Sequence, residues 1–214
     1  MATEFIIIRH GESLGNLNGV MLGHTDLDLS ELGFLQAAAA ANHFKNVKID
    51  KIFSSDLKRA YNTAKAHADL RGMAVETDRD FREIFLGKWE NARIDDVSRS
   101  EAELFFDGWR AGFGTFTPPG GESVRACGER FYNAVMRLAE KNVGKTVLIA
   151  AHAAVIRSFW GIISAVRPVD LAAAIPYPLN ASASFVTYDE NRLVPGEYSV
   201  GSYLSEVGVA APRF

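Results

Sequence analysis

Near its start the sequence runs Phe5-Ile6-Ile7-Ile8-Arg9-His10-Gly11-Glu12-Ser13. The apolar residues of this run show no alternation with polar ones, and most are β-branched, which is typical of a strand buried on both faces. Charged and polar side chains follow at once, beginning with Arg9 and His10. The run therefore predicts an inner strand of a parallel sheet, with a polar cluster at its carboxyl end.

Buried-type strands alternate with helices along the rest of the chain. Further strands are predicted at 49–54, 74–77, 146–151 and 184–188. Helices are predicted at 30–44, 56–70, 94–106, 123–141 and 155–165. This order predicts an α/β fold, a three-layer α/β/α sandwich around a mostly parallel sheet.

One segment interrupts the alternation and has an unusual composition. Residues 108–121 are rich in Gly and Pro, yet they carry Trp109, Phe113 and Phe116. We expect one domain over 1–214, with a helix-loop excursion at about 90–122 that forms a cap over the active site. In that case the three aromatic side chains belong to the substrate pocket, with His24 at its edge. The alternative is a loop whose aromatic side chains simply pack on the core.

Composition excludes several classes of protein. The chain of 214 residues is 48% hydrophobic and 23% charged with a net charge of -3, so no surface is built to hold nucleic acid or an acidic membrane. Cys127 is the single cysteine, which excludes an internal disulfide and a metal site of several thiolates. No signal peptide or membrane-spanning apolar run is found, and we expect a cytoplasmic protein.

Three polar clusters are predicted to meet at one edge of the sheet. Arg9 and His10 follow the first strand, Ser54 and Ser55 follow the second, and His152 follows the strand 146–151. In parallel α/β sheets, ligands bind at the carboxyl ends of the strands. The sequence therefore predicts a ligand site at this edge.

Several motifs fall in a fixed order along the chain. They are Arg9-His10-Gly11-Glu12-Ser13 with Asn16, the segment 23–33, Ser54-Ser55-Asp56-Leu57-Lys58-Arg59-Ala60, the segment 82–90, Pro119-Gly120-Gly121-Glu122-Ser123, and the segment 152–157. Together they resemble the signatures of the histidine phosphatase superfamily, which has the phosphoglycerate mutase-like fold. The resemblance extends from about Phe5 to Tyr188.

The resemblance implies a role for each matched side chain. His10 is the nucleophile that becomes phosphorylated, and Glu83 is the proton donor that later activates water. The expected phosphate-binding residues are Arg9, Asn16, Arg59, His152 and Ala153, and His152 would be a further donor if it is cationic. These roles agree with the chemistry of displacing an alcohol from phosphate, which needs a nucleophile, compensation of charge and a proton.

Some assignments have competitors within the sequence. Glu90 and Glu122 are acids close to Glu83, whereas Glu12 is expected to be structural. The family commonly has glycine where Ala153 and Ala154 stand, so an added methyl group is expected to narrow the approach of the backbone to phosphate.

The predicted activity is metal-independent hydrolysis of a phosphomonoester, with no cofactor and no metal site. The alternatives are a 2,3-bisphosphoglycerate-dependent phosphoglycerate mutase and a non-catalytic phosphate-binding regulator. The expected partner is a small phosphorylated metabolite without a second phosphate, such as the ester of a sugar, nucleoside or amphipathic alcohol. The oligomeric state stays open, with a homodimer as one alternative.

Overall fold

The computed structural model describes residues 1–208. Residues 209–214 of the predicted domain lie outside the described part. The strands are β1 (Thr3–Arg9), β2 (Lys51–Ser54), β3 (Glu76–Thr77), β4 (Thr146–Ala151), β5 (Ala183–Asp189) and β6 (Arg192–Pro195). They form one sheet in the order β3-β2-β4-β1-β5-β6. The strands β3, β2, β4 and β1 are parallel to one another, whereas β5 pairs antiparallel with β1 and β6 pairs antiparallel with β5. The predicted mostly parallel α/β sheet is confirmed.

Helices cover both faces of this sheet. They are α1 (Leu14–Asn18), α2 (Glu31–His43), α3 (Lys58–Asp69), α4 (Ile94–Ser100), α5 (Val124–Lys141), α6 (Ala153–Ile163) and α7 (Leu171–Ala174). Alternate residues of β1 enter different cores: Ile7 packs in the larger core with α5 and α6, while Ile6 and Ile8 pack in a smaller core with α3. The absence of alternation in the sequence is thus explained by a strand between two helical layers.

The segment after α4 differs from the prediction. The first helix of this segment ends at Ser100, and a π-helix follows over Leu104–Ala111, which overlaps the end of the predicted helix 94–106 and the start of the predicted loop 108–121. Gly108 permits this turn to pack closely, because a Cβ there would lie 2.3 Å from the Phe116 ring. The π-helix turns Phe105 and Trp109 into the larger core. Within residues 1–208, none of the helices combines the length and apolar composition needed to cross a bilayer.

His67 on α3 is buried and packs against Phe44 of the smaller core. Neither of its ring nitrogens has a hydrogen-bond partner among the described residues. Burial lowers its pKa from 6.5 to about 3, and Arg71 contributes in the same direction. Between those two pH values the unfolded chain binds a proton that the folded chain does not. The free energy of unfolding therefore decreases as the pH falls through this window.

We expect His67→Leu to raise the free energy of unfolding by about 1–3 kcal/mol at pH 7, because it removes an unsatisfied buried polar group. The gain should be larger at pH 5, because the unfolded wild-type chain binds a proton on His67 there and the folded protein does not. Urea unfolding at both pH values measures it, with exposed His43→Leu as the control. A pH-independent difference between His67→Leu and wild type would contradict the expectation.

Candidate active site

A pocket of about 500 Å³ lies at the carboxyl edge of the parallel strands, where the sequence predicted a ligand site. β1 supplies Arg9 and the residue after it, His10, while the start of α3 supplies Arg59. The start of α6, directly after β4, supplies Ala153 and Ala154. The remaining polar lining residues are Ser13, Asn16, Glu83 and Tyr177.

His10 is held as one tautomer of the neutral imidazole. Its Nδ1 lies 2.6 Å from the Gly11 carbonyl oxygen, which can only accept, so Nδ1 carries the proton. Burial lowers the pKa of His10 well below 6.5, and the positive charges of Arg59 and Arg9 lower it further. The lone pair of Nε2 is therefore available for attack at neutral and mildly acidic pH.

Two guanidinium groups are buried beside His10. Arg9 donates from Nη1 to the Pro178 carbonyl at 2.6 Å, and Arg59 donates to the carbonyls of Thr25 and Gly23 at 2.8 and 2.7 Å. Burial lowers the pKa of each to about 10, so both remain cationic at neutral pH. Their hydrogen bonds go to neutral carbonyls, which leaves their positive charge to be met by an anion in the pocket.

His152 precedes α6 and lies under the lining. Its ring centre is 5.1 Å from that of His10, and neither ring nitrogen has a partner among residues 1–208. Burial lowers its pKa well below 6.5, assisted by the charge of Arg59. This environment favours the neutral ring, which donates one N–H.

Glu83 binds the first turn of α6 through its carboxylate. Oε1 accepts from the backbone N–H of Ile84 and Val155 at 2.9 and 3.0 Å, and Oε2 accepts from Ala154 at 3.0 Å. Its own carbonyl accepts from Arg130 at 3.3 Å, with His24 Nε2 2.9 Å away. These contacts fix the side chain at the positive end of a helix, next to His10.

Glu90 and Glu122, the two acids that compete with Glu83 in the sequence, bind other groups. Glu90 accepts hydrogen bonds from the backbone of His24, Thr25 and Leu86. Glu122 pairs with Arg130, with 2.9 Å between Oε2 and Nη2. Among the three carboxylates, only that of Glu83 lines the pocket in the described part of the chain.

Asn16 and Ala153 occupy the remaining predicted phosphate positions. The Asn16 Oδ1 accepts from the backbone of Ser13 and from Asn180 Nδ2, so the amide NH2 is the group left to donate. Ala153 and Ala154 take helical backbone conformations in the first turn of α6, where the methyl groups form part of the lining. The first N–H groups of a helix have no partner within it and favour an anion. Glu83 already accepts from those of Ala154 and Val155, so the N–H of Ala153 is the one that remains for another anion.

The predicted substrate residues divide into two groups. Trp109 lines the pocket. Phe113 is fully buried against Tyr177 and Arg157, and Phe116 stacks on Trp89, so both pack in the core and lie outside the lining. His24 also lies outside it, with its ring nitrogen turned to the Glu83 carbonyl. Of the four predicted pocket residues, the structure thus places Trp109 in the lining and the other three behind or beside it.

Gly11 has a packing role. A Cβ on Gly11 would lie 2.3 Å from the Gly33 carbonyl oxygen, and a Cβ on Gly33 would lie 1.9 Å from that of Glu12. The Glu12 carboxylate accepts from Ser30 at 2.7 Å, in agreement with its predicted structural role. This close contact with α2 positions the loop that carries His10.

The sequence pattern of the histidine phosphatase superfamily (branch 1) matches residues 5–199. The chain belongs to this superfamily. Phosphoglycerate mutase-like protein 4 of Arabidopsis thaliana is 33% identical to it, over 99% of this chain and 91% of the relative. The metal-independent phosphoserine phosphatase of the same plant is 29% identical, over 96% and 85%.

The fold of this histidine phosphatase is shared with a solved structure. A mycobacterial glucosyl-3-phosphoglycerate phosphatase in complex with VO3 superposes with a TM-score of 0.84 at 27% identity, covering 92% of this chain and 98% of that one. The family, the fold and the enzyme class, a phosphoric monoester hydrolase, agree with the predictions from the sequence.

Sequence reasoning missed two residues of the histidine phosphatase site. Asn180 is buried and donates to the His10 carbonyl at 3.1 Å and to Asn16. Tyr177 forms part of the lining and covers Arg157, with 4.3 Å from its ring centre to the guanidinium carbon. Both lie in the irregular segment before β5, where no quoted motif or periodicity marks them.

Proposed function

We propose that the chain hydrolyses phosphate monoesters without a metal ion, through a phosphohistidine on His10. The observation that carries this proposal is the neutral His10, whose Nδ1 proton is bound to Gly11 while Nε2 faces a pocket with two buried guanidinium groups. A nucleophile and compensation of phosphate charge are thereby present in one place.

The reaction proceeds in two displacements. The phosphoryl oxygens bind Arg9 and Arg59, with further N–H donors from Asn16, His152 and the backbone of Ala153 at the start of α6. The lone pair of His10 Nε2 forms a bond to phosphorus as the bond to the alcohol oxygen breaks, and Glu83 gives that oxygen its proton. Water then attacks the phosphohistidine, Glu83 takes a proton from it, and inorganic phosphate leaves with His10 restored.

Trapping the intermediate tests the proposal. The enzyme is mixed with 32P-labelled phenyl phosphate in EDTA and quenched in alkali. We expect label on the wild-type protein that is stable to base and labile to acid, and none on His10→Asn. Equal label on both proteins, an acid-stable label, or turnover that EDTA abolishes would contradict the proposal.

Phosphoglycerate mutase activity is the second candidate, because a relative at 33% identity is named phosphoglycerate mutase-like. The same phosphohistidine can pass its phosphoryl group to water or to a second hydroxyl. Incubation with 3-phosphoglycerate and 2,3-bisphosphoglycerate separates the two activities. Isomerisation faster than release of phosphate would establish the mutase and overturn hydrolysis.

Glu83→Gln is expected to lower kcat/KM for an alkyl phosphate by about 100-fold to 1,000-fold, because the poor leaving group needs a proton. The loss should be much smaller for p-nitrophenyl phosphate, whose phenolate leaves without one, when the burst of p-nitrophenol is measured. Glu122→Gln, which removes a carboxylate outside the pocket, is the matched control. Equal losses on both esters would contradict a role in protonating the leaving group.

A further inference from the structure

We infer that the preferred substrate is the phosphate ester of an uncharged alcohol with an apolar body, without a carboxylate or second phosphate. The inference rests on the proposed function, since it concerns the group that leaves His10-bound phosphate. It is drawn from the part of the pocket beyond the phosphate-binding residues.

Beyond the residues around the phosphate, the lining contains Ser13, Gly23 and Tyr177 and is otherwise apolar. The apolar wall is formed by Val20, Met21, Leu22, Ile84, Leu86 and Trp109. Met21, Leu86 and Trp109 belong to the larger core, so their side chains are fixed by packing behind the wall. A leaving group in this part of the pocket therefore contacts hydrocarbon and an indole ring, which favours apolar and aromatic groups.

The cationic side chains of the described lining are all required by the phosphoryl group itself. They are Arg9 and Arg59, and both lie beside His10, where a phosphate dianion uses their two positive charges. A second anionic group on the substrate would thus meet an apolar wall without a cation to pair with it.

Two buried or part-buried cations near the pocket, Arg130 and Arg157, are already engaged elsewhere. Arg130 makes two hydrogen bonds to Glu122, at 3.0 and 2.9 Å. Arg157 lies between the rings of Phe113 and Tyr177 and donates to the Ile175 carbonyl at 2.6 Å. Either guanidinium would have to break these buried contacts to reach a substrate, so neither supplies the missing charge.

This inference separates the chain from the relatives described above. Phosphoserine and glucosyl-3-phosphoglycerate, which appear in the names of two of them, each carry a carboxylate near the phosphate. Since those proteins are only 29% and 27% identical to this chain, the outer pocket has ample scope to differ while the phosphate site is kept.

The test uses three phosphate esters that differ at one remote group. They are 4-isopropylbenzyl, 4-carbamoylbenzyl and 4-carboxybenzyl phosphate, in which the reacting oxygen is insulated from the substituent. We expect kcat/KM for the carboxylate to be about 100-fold below that of the isopropyl ester, with the amide between them. Equal values for the carboxylate and isopropyl esters would overturn the inference. Failure to hydrolyse any of the three would instead contradict the proposed function.

Two variants connect the preference to the pocket wall. Val20→Arg places a cation on the half-buried edge of the lining and is expected to reduce the isopropyl-to-carboxylate ratio at least 10-fold. Trp109→Phe removes part of the aromatic wall and is expected to reduce the same ratio several-fold. Phe106→Ala, an exposed aromatic on the same π-helix, should leave the ratio unchanged. An unchanged ratio in both pocket variants, with normal inhibition by inorganic phosphate, would overturn the assignment of this wall.

Discussion

Replacement of His10 with alanine is expected to lower kcat for p-nitrophenyl phosphate by about 10,000-fold or more, because the first displacement loses its nucleophile. Water is a poor substitute, because the nucleophile has to attack phosphorus from the side opposite the leaving oxygen. The imidazole Nε2 holds that position in the wild-type protein. Binding should persist, because the guanidinium groups of Arg9 and Arg59 remain. Steady-state kinetics and the inhibition constant of inorganic phosphate measure the two effects separately.

His10→Asn is the matched control for local structure. Its side-chain amide can still donate to the Gly11 carbonyl, as Nδ1 of the wild-type ring does at 2.6 Å. Both variants should lose catalysis equally, and added imidazole should partly restore turnover only in His10→Ala, where the space is empty. Retention of more than about 1% of kcat in either variant would show that another group attacks phosphorus. The first candidate would then be His152, whose ring centre is 5.1 Å away.

The inner strands and the pocket at the sheet edge could be predicted because the information is local. The apolar run before Arg9 and the run 146–151 each end in the polar residues that the sheet brings together. The parallel topology brings these polar residues together, since the carboxyl ends of parallel strands share one edge of the sheet. The motifs around Arg59 and Glu83 completed the set, and both side chains do line the pocket.

The outer pocket could not be predicted in the same way. Phe113, Phe116 and Trp109 are close together and chemically alike, yet only Trp109 reaches the lining. The directions of these side chains depend on the π-helix, which is packed on the larger core. The local sequence pattern does not encode that packing. Asn180 was missed for a related reason, because its partners His10 and Asn16 are more than 160 residues away.

The protonation state of the site is also a property of the fold. His10 and His152 have ordinary surroundings in the sequence, which left the charge of His152 open. Complete burial next to Arg59 lowers the pKa of both rings and favours neutral imidazoles. The same burial leaves the two guanidinium groups as the charges available to bind phosphate.

Replacement of Arg59 with alanine is expected to lower kcat/KM by about 1,000-fold, since a guanidinium that stabilises a phosphoryl transition state contributes an effect of this size. Arg59→Lys should recover only part of the loss, because an ammonium keeps the charge without the planar fork. Inhibition by inorganic phosphate should weaken in the same order. Steady-state kinetics and phosphate inhibition of the three proteins measure both.

Removing Arg59 also frees the carbonyls of Gly23 and Thr25, so a structural loss has to be separated from a chemical one. Arg71 offers the matched control, because it too donates to two backbone carbonyls, those of His67 and Phe44, while lying outside the pocket. Arg71→Ala should lower the free energy of unfolding and leave kcat/KM within about 3-fold of wild type, as expected for a change away from reacting atoms. If Arg59→Ala lost only stability, and its kcat/KM stayed equally close to wild type, its guanidinium would be a support for the loop 23–25. In that case the phosphate charge would rest on Arg9 alone.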